Sequence, residues 1–353
     1  MKKKEIIFDL RTATMLGPAS TVFWSLKYYQ DLGYKIILIN KHWSTENKKE
    51  GLKYDEKKKK FKSGSSRYLW DPAIHPNDIL YNLIIPTFTN LKIIEKKYSY
   101  ISRVLLNIPP FFSSKKIHMN DFATYFLEKK DKESYFKLKE NYYKKNKSSV
   151  EFIRYNLNRL YFKFFLDKKK IPISKPFRYK LSDKLNNQSV KKFINDSKTD
   201  GVKNILISIL WDENQKFEKQ NDRLKGGPHF IESEWKKLLS FVRKLDNYAI
   251  ETKKIKFVLA SKKAVDWEVF LKSKFVDLRN FEELGFSLSQ SIYIAQEICD
   301  VSINWPSTYT IWISNCENML HLTWGGNKDT AKWARNDNNN LAVESLLKTI
   351  GAD

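Results

Sequence analysis

Asp300-Val301-Ser302-Ile303-Asn304-Trp305-Pro306-Ser307-Thr308 reads as a short apolar strand ending on a polar residue, then a proline turn, then the first residues of a helix. A strand of this kind suits the interior of a parallel sheet, and the turn stands where such sheets turn from strand to helix. The neighbouring elements agree. Upstream, Ser287-Leu288-Ser289-Gln290 has the S-x-x-Q form of a capping box and opens a helix that runs toward Ala295. Downstream, a helix is expected from Thr308 to Asn315 and a strand from Met319 to Trp324. Farther back, Asn204 to Leu210 and Ile255 to Leu259 are apolar strands, with a shorter one at Phe275-Val276-Asp277. Between them, Trp235, Leu238, Leu239, Val242 and Leu245 mark one face of a helix from Glu232 to Asn247, and a short helix is expected from Trp267 to Leu271. Strands alternating with helices predict an α/β fold with a parallel sheet.

The amino-terminal half opens the same way. Glu5 to Leu10 and Tyr34 to Asn40 read as buried strands. Gly17-Pro18 breaks the first, and an amphipathic helix follows, with Ser20 as N-cap, Ala19, Val22, Phe23, Leu26 and Tyr29 at helical spacing, and Gly33 at the C-cap. A strand, helix and strand in that order predict a parallel pair with a right-handed crossover. Lys48 to Lys62, which contains Lys57-Lys58-Lys59-Lys60, reads as an exposed basic insertion. Ile79 to Ile85 and Ile101 to Asn107 are the next expected strands, and Tyr125 to Phe165 is helical, basic and rich in aromatics. Pro172 and Pro176 mark a connection, so two domains are expected, 1–184 and 185–353.

A chain of 353 residues accommodates two cores, and 42% hydrophobic with 14% aromatic residues excludes a disordered chain. The net charge of +24 favours polyanionic partners: nucleic acid, an anionic membrane face or phosphorylated substrates. Cys299 and Cys316 cannot build a disulfide framework, and their number fits a reducing compartment. No stretch of about 18 apolar residues occurs, and the start of the chain does not read as a signal peptide. The expectation is a cytoplasmic protein, peripheral on the inner membrane through its basic surface.

The candidate ligand loops follow from the strand order. Pro306-Ser307-Thr308 offers hydroxyls and free backbone amides to a phosphate. Trp211-Asp212-Glu213-Asn214 and Ala260-Ser261-Lys262-Lys263 are expected at the same sheet edge. The long loop to Phe230 carries Arg223, Lys225, Gly226-Gly227 and His229, cations and glycines suited to clamping a diphosphate. Neither G-x-x-x-x-G-K-[ST] nor G-x-G-x-x-G occurs, which sets aside P-loop and dinucleotide readings. No D-x-D occurs either, so no metal and no separate cofactor are expected.

Two α/β domains, a Gly-Pro loop after the first strand, Ser287-Leu-Ser-Gln to Ala295, Asp300-Val-Ser-Ile-Asn304 and Pro306-Ser307-Thr308 together resemble glycosyltransferases of the GT-B type, within them the heptosyltransferase-like group. The specific residues span about 204 to 326. The resemblance implies two Rossmann-like domains facing a cleft and sugar transfer from a nucleotide-sugar donor to a glycan or lipid-linked acceptor. It implies that Ser307 and Thr308 bind the diphosphate. Arg223 and Lys225 would then clamp the leaving group. The group's pattern has Asp-Ser-Gly-Pro where this chain has Asn304-Trp305-Pro306-Ser307-Thr308, and no acidic residue lies between Leu10 and Ser20. For a general base, Asp9 at the end of the first strand is the carboxylate nearest the expected cleft, followed by His75, His118 and Asp121.

Two other readings stand beside this one. The basic, aromatic segment Tyr125 to Phe165 suits phosphates on lysines and bases on aromatic rings, but no nucleic-acid motif accompanies it. The same segment suits contact with an anionic leaflet, which fits the transferase reading better. A non-catalytic α/β binding or scaffold protein is the third, since few candidate bases are present.

Overall fold

The computed structural model of the chain describes residues 5–10, 26–42, 54–55, 60–61, 78–97, 116–118, 156, 176–209, 232–260, 265–279, 281–305, 308–324 and 341–353. The chain forms two compact units, 1–77 with 88–175, and 78–87 with 176–353.

The first unit contains β1 (Glu5–Leu10), a helical segment α1 at 26–31, β2 (Lys35–His42), a two-residue pair β3 (Tyr54–Asp55) and β4 (Lys60–Phe61), then β5 (Leu91–Lys97) and β6 (Lys116–His118). β5, β2, β1 and β6 lie side by side in that order, all parallel. Ile6 and Phe8 pair in register with Ile36 and Leu38, all four buried. Leu26 of α1 is fully buried, and Tyr29 meets Phe8 edge to face at 5.8 Å. Gly33, at φ +74°, closes the helix as expected: its amide bonds Gln30 O, and Tyr34 N bonds Tyr29 O. The amino-terminal part of that helix, with Ser20, lies outside the described residues. The expected basic insertion holds a small antiparallel pair, with Tyr54 opposite Phe61.

In the second unit, α2 occupies 78–87, its middle turns Leu80–Ile84 wound as a π-helix. This corrects the expected strand from Ile79 to Ile85. The burial pattern explains why: Ile79, Leu80, Leu83 and Ile84 are buried, whereas Tyr81 is exposed, a stripe of helical rather than twofold period. The strand of this region is instead β5, whose lysines Lys92, Lys96 and Lys97 had masked its apolar members.

α3 (Gln188–Ser197), β7 (Lys203–Ile207), α4 (Glu232–Thr252), β8 (Ile255–Leu259), α5 (Val265–Phe270), β9 (Phe275–Asp277), α6 (Leu288–Ile298), β10 (Val301–Asn304), α7 (Thr308–Ile313), β11 (Leu320–Thr323) and α8 (Val343–Ile350) complete the described elements. All five strands are parallel, in the order β11-β10-β7-β8-β9. The molecule is therefore a mixed α/β protein with two parallel sheets. Ile205, Ile207, Phe257, Val301, Ile303 and Leu322 share one core with Trp235, Leu238 and Val242 of α4 and Leu346 of α8. The expected capping box of α6 is formed in full: Ser287 Oγ accepts from Gln290 N, and Ser287 N donates to Gln290 Oε1.

Candidate functional site

In strand order of the second unit, β7 comes first, β8 and β9 extend to one side of it, and β10 and β11 to the other. The chain thus reverses direction between β7 and β10. In open α/β sheets that reversal leaves a crevice at the carboxyl ends of the two strands, where ligands bind.

Alternate residues of β10 have opposite chemistry. Val301 and Ile303 join the apolar core, whereas Ser302 and Asn304 belong to a buried polar chain on the other face. Ser208, just past β7, donates from Oγ to Asn304 Oδ1 at 2.7 Å. Asn304 Nδ2 donates to Ser302 Oγ at 2.8 Å. Ser302 Oγ lies 2.6 Å from Nδ1 of His321, its register partner on β11. His321 Nε2 lies 2.9 Å from Cys316 O. A carbonyl only accepts, so Nε2 carries a proton. Ser302 Oγ accepts from Asn304 and holds its own proton for Nδ1, which makes neutral imidazole the form that satisfies every partner. At the edge itself, Thr310 Oγ1 donates to Trp305 O at 2.9 Å and lies 3.1 Å from Ser208 Oγ. Ser208, Ser302, Asn304, Thr310 and His321 all have zero exposure, so any unpaired member would cost about 1 to 3 kcal/mol. The chain ties the ends of β7 and β10 to α7.

Aromatic residues brace the same edge. Trp267 Nε1 donates to Ile209 O at 3.0 Å, and Trp305 meets Trp235 at 5.4 Å, ring edge to face. α7 is held from its other sides by Tyr309, whose hydroxyl lies 3.1 Å from Ser291 Oγ, and by Tyr179, whose hydroxyl donates to Trp312 O. Burial pushes both phenols up, so both stay protonated and neutral. At the outer end of the edge, Arg279 pairs with Asp277 and Glu268. Burial draws the Asp277 carboxyl upward, but the hydrogen bonds and charge of Arg279 outweigh it and hold it below its ordinary range.

Thr308 is the first residue of α7. Ser307 and Pro306 lie outside the described residues, as do Arg223, Lys225, His229 and Ser261 to Lys263. β7, β8 and β10 are parallel, so their carboxyl ends, which precede 210–231, 261–264 and 306–307 in the sequence, lie at the same edge of the sheet. Asp9 is the penultimate residue of β1 and pairs in register with His118, the last of β6. His75 and Asp121 lie outside the described residues. The polar chain Ser208-Asn304-Ser302-His321 is what sequence reading missed. Its signal was present: Ser302 and Asn304 alternate with the apolar Val301, Ile303 and Trp305. Among the described residues no group of three or more His, Cys, Asp or Glu side chains is placed to hold a metal ion. No helix among them is long and apolar enough to cross a membrane.

No protein-family model matches the sequence. No curated protein matches it at a significant level. Among solved structures, the glycosyl transferase family 9 protein from Veillonella parvula DSM 2008 is similar over 98% of this chain and 97% of its own, with 10% sequence identity and a TM-score of 0.37.

Proposed function

We propose that the protein is a glycosyltransferase that moves a sugar from a nucleotide-sugar donor to a glycan or lipid-linked acceptor without a metal ion. The chemistry is taken from the resemblance carried by Ser287 to Gln290, Asp300 to Asn304 and Pro306 to Thr308. The location rests on the reversal of strand order between β7 and β10, because the Pro306-Ser307-Thr308 segment follows directly from β10 at that point. The donor is assigned to the domain 185–353 and the acceptor to 1–184. Ser307 and Thr308, with their backbone amides, take the diphosphate, and Arg223 and Lys225 stabilise the leaving group. Asp9 removes the acceptor hydroxyl's proton. The basic segment 125–165 brings the protein to an anionic leaflet, where a lipid-linked acceptor is found.

The test is a thermal-shift series with UDP-, GDP-, ADP- and CMP-linked sugars, and with single-stranded RNA and DNA alongside. A shift with one nucleotide class supports the proposal and names the donor. A shift with nucleic acid alone, lost steeply with salt, replaces it with nucleic-acid binding. Absence of any shift favours a scaffold. Ser307→Ala with Thr308→Ala weakens the nucleotide shift and leaves the unliganded melting temperature unchanged if these residues bind ligand; if they only cap α7, the unliganded protein melts lower instead.

A further inference from the structure

The charge of the chain is divided unevenly between its two units. The first unit, of 165 residues, holds 37 Lys and Arg against 16 Asp and Glu, a net +21, whereas the second, of 188 residues, holds 27 against 24, a net +3. Nearly all of the +24 thus belongs to the unit that makes up most of the domain assigned to the acceptor. A lysine-rich composition spread over the whole chain would give both units the same balance. The second unit is instead nearly neutral, with Arg178 paired to Glu297, Lys203 to Asp300, Lys237 to Glu234, and Arg279 to Asp277 and Glu268. In the first unit Lys27 pairs with Asp31 and Lys35 with Glu5. Even with every carboxylate of that unit matched one to one, 21 cations have no acid of their own unit to meet, and the second unit has no surplus of acid to offer.

The excess runs through the whole unit: +8 over 1–77, +4 over 88–124, +6 over 125–165 and +3 over 166–175. β1 and β2 come from the first of these stretches and β5 and β6 from the second, so the charge is not confined to one insertion between strands. Segment 125–165, which the transferase reading gives to an anionic leaflet, carries less than a third of it. A flat leaflet acts on one face, because salt screens charges beyond about 8 Å. A polymer follows charge from face to face, and each anion it seats releases counterions, so many weak contacts add up to one binding event. Resting on the transferase reading above, we infer that the acceptor is a polymeric anionic glycan, repeating a phosphate or carboxylate along its length, and that the first unit binds several repeats at once. The donor diphosphate needs only a few cations; an excess of 21 suits a partner whose own charge is repeated. Nucleic acid repeats phosphate too, but no nucleic-acid motif accompanies these lysines.

The experiment uses the full chain and labelled probes: poly(ribitol phosphate), polygalacturonate, dextran, single-stranded RNA of matching charge, and vesicles of phosphatidylglycerol with phosphatidylcholine. One of the two anionic glycans is expected to bind more tightly than RNA or vesicles, and to lose at least about 10-fold in affinity between about 50 and about 200 mM salt. Dextran is expected not to bind. Tighter binding of RNA or of vesicles overturns the inference in favour of that partner, and binding of dextran or indifference to salt overturns it outright. Two variants, each lacking four positive charges, locate the interaction: one with Lys57, Lys58, Lys59 and Lys60 changed to Gln, the other with the exposed Lys191, Lys192, Lys198 and Lys272 of the second unit changed to Gln. The first is expected to bind the glycan about 10-fold more weakly and the second within about twofold of wild type; equal weakening overturns the assignment to the first unit. The transferase reading is tested apart, by thermal shift with the nucleotide sugars. A nucleotide-sugar shift without glycan binding overturns the inference and leaves that reading intact, whereas glycan binding without any such shift overturns that reading, and the acceptor role with it. With both observed, the bound polymer should speed nucleotide release at least about 10-fold over dextran, and failure to do so overturns its role as acceptor.

Discussion

Asn304→Asp is the substitution that probes the buried polar chain most directly, because it changes one donor into an acceptor without changing shape. Asn304 accepts from Ser208 through Oδ1 and donates to Ser302 through Nδ2, at zero exposure. An ionised aspartate keeps the first bond and sets a second oxygen against Ser302 Oγ, whose own proton is directed to His321. A protonated aspartate still donates to Ser302. The folded state therefore favours the neutral carboxyl, and its titration rises above the unfolded value of about 3.9, by roughly 3 units for a fully buried group. That corresponds to a penalty of about 4 kcal/mol once the group is ionised in the unfolded chain. A raised folded value stabilises below the unfolded one, and the contribution is lost as pH rises. The variant should thus approach wild type at pH 4 and lose stability progressively up to about pH 7. Urea unfolding is followed by the emission of Trp235, Trp267, Trp305, Trp312 and Trp324, all buried in the second unit. A difference from wild type below about 1 kcal/mol at pH 8, or a loss that grows on acidification, refutes the hydrogen-bond assignment.

The other predictions concern the supports of the same edge. Thr310→Val removes the bond to Trp305 O and should cost about 1 to 2 kcal/mol in urea unfolding, whereas Thr310→Ser should retain that bond and most of the stability. Asp78→Ala removes the carboxylate that accepts from Ser289 N in the first turn of α6 and from Asn82 of its own helix, and should cost about 1 to 2 kcal/mol, with Asp78→Asn recovering part. Because Arg279 holds the Asp277 carboxyl below its ordinary range, its contribution is present above about pH 4 and lost as pH falls through the lower folded value. Solvent exposure keeps this below about 1 kcal/mol, and acid titration of Asp277→Asn should lack that component.

Much of the second unit was legible because its elements carry redundant signals. β7, β8 and β10 are apolar runs bounded by polar turns, and α6 announces itself through Ser287 and Gln290. α4 was readable from its Trp235-Leu238-Val242-Leu245 stripe, although it continues to Thr252, past the expected end at Asn247. The helix at 78–87 was not legible, since Ile79-Leu80-Tyr81-Asn82-Leu83-Ile84-Ile85 is apolar enough for either period and too short to decide by length. α3 escaped because its buried members are few, with Asn187 as the one clear cap. At the candidate site, Thr308 could be placed from the sequence as a helix start, but Ser208, which reaches both Asn304 and Thr310, comes from the end of β7, which only the strand order brings beside β10. The pairing of Asp9 with His118 has the same origin. More than a hundred residues separate them, and no local pattern links the two positions.

Helix α2 has a consequence for how the chain is made. Its Asp78 bonds Ser289, which lies 211 residues later. At about 5 to 20 residues per second, a ribosome needs roughly 10 to 40 s to deliver that partner. Throughout that interval Ile79, Leu80, Leu83 and Ile84 have been synthesised while the unit that buries them is incomplete. The nascent protein therefore carries a greasy ten-residue segment for a time in which chaperones can engage it, and the yield of folded protein should depend on that shielding more than on the stability of either finished sheet.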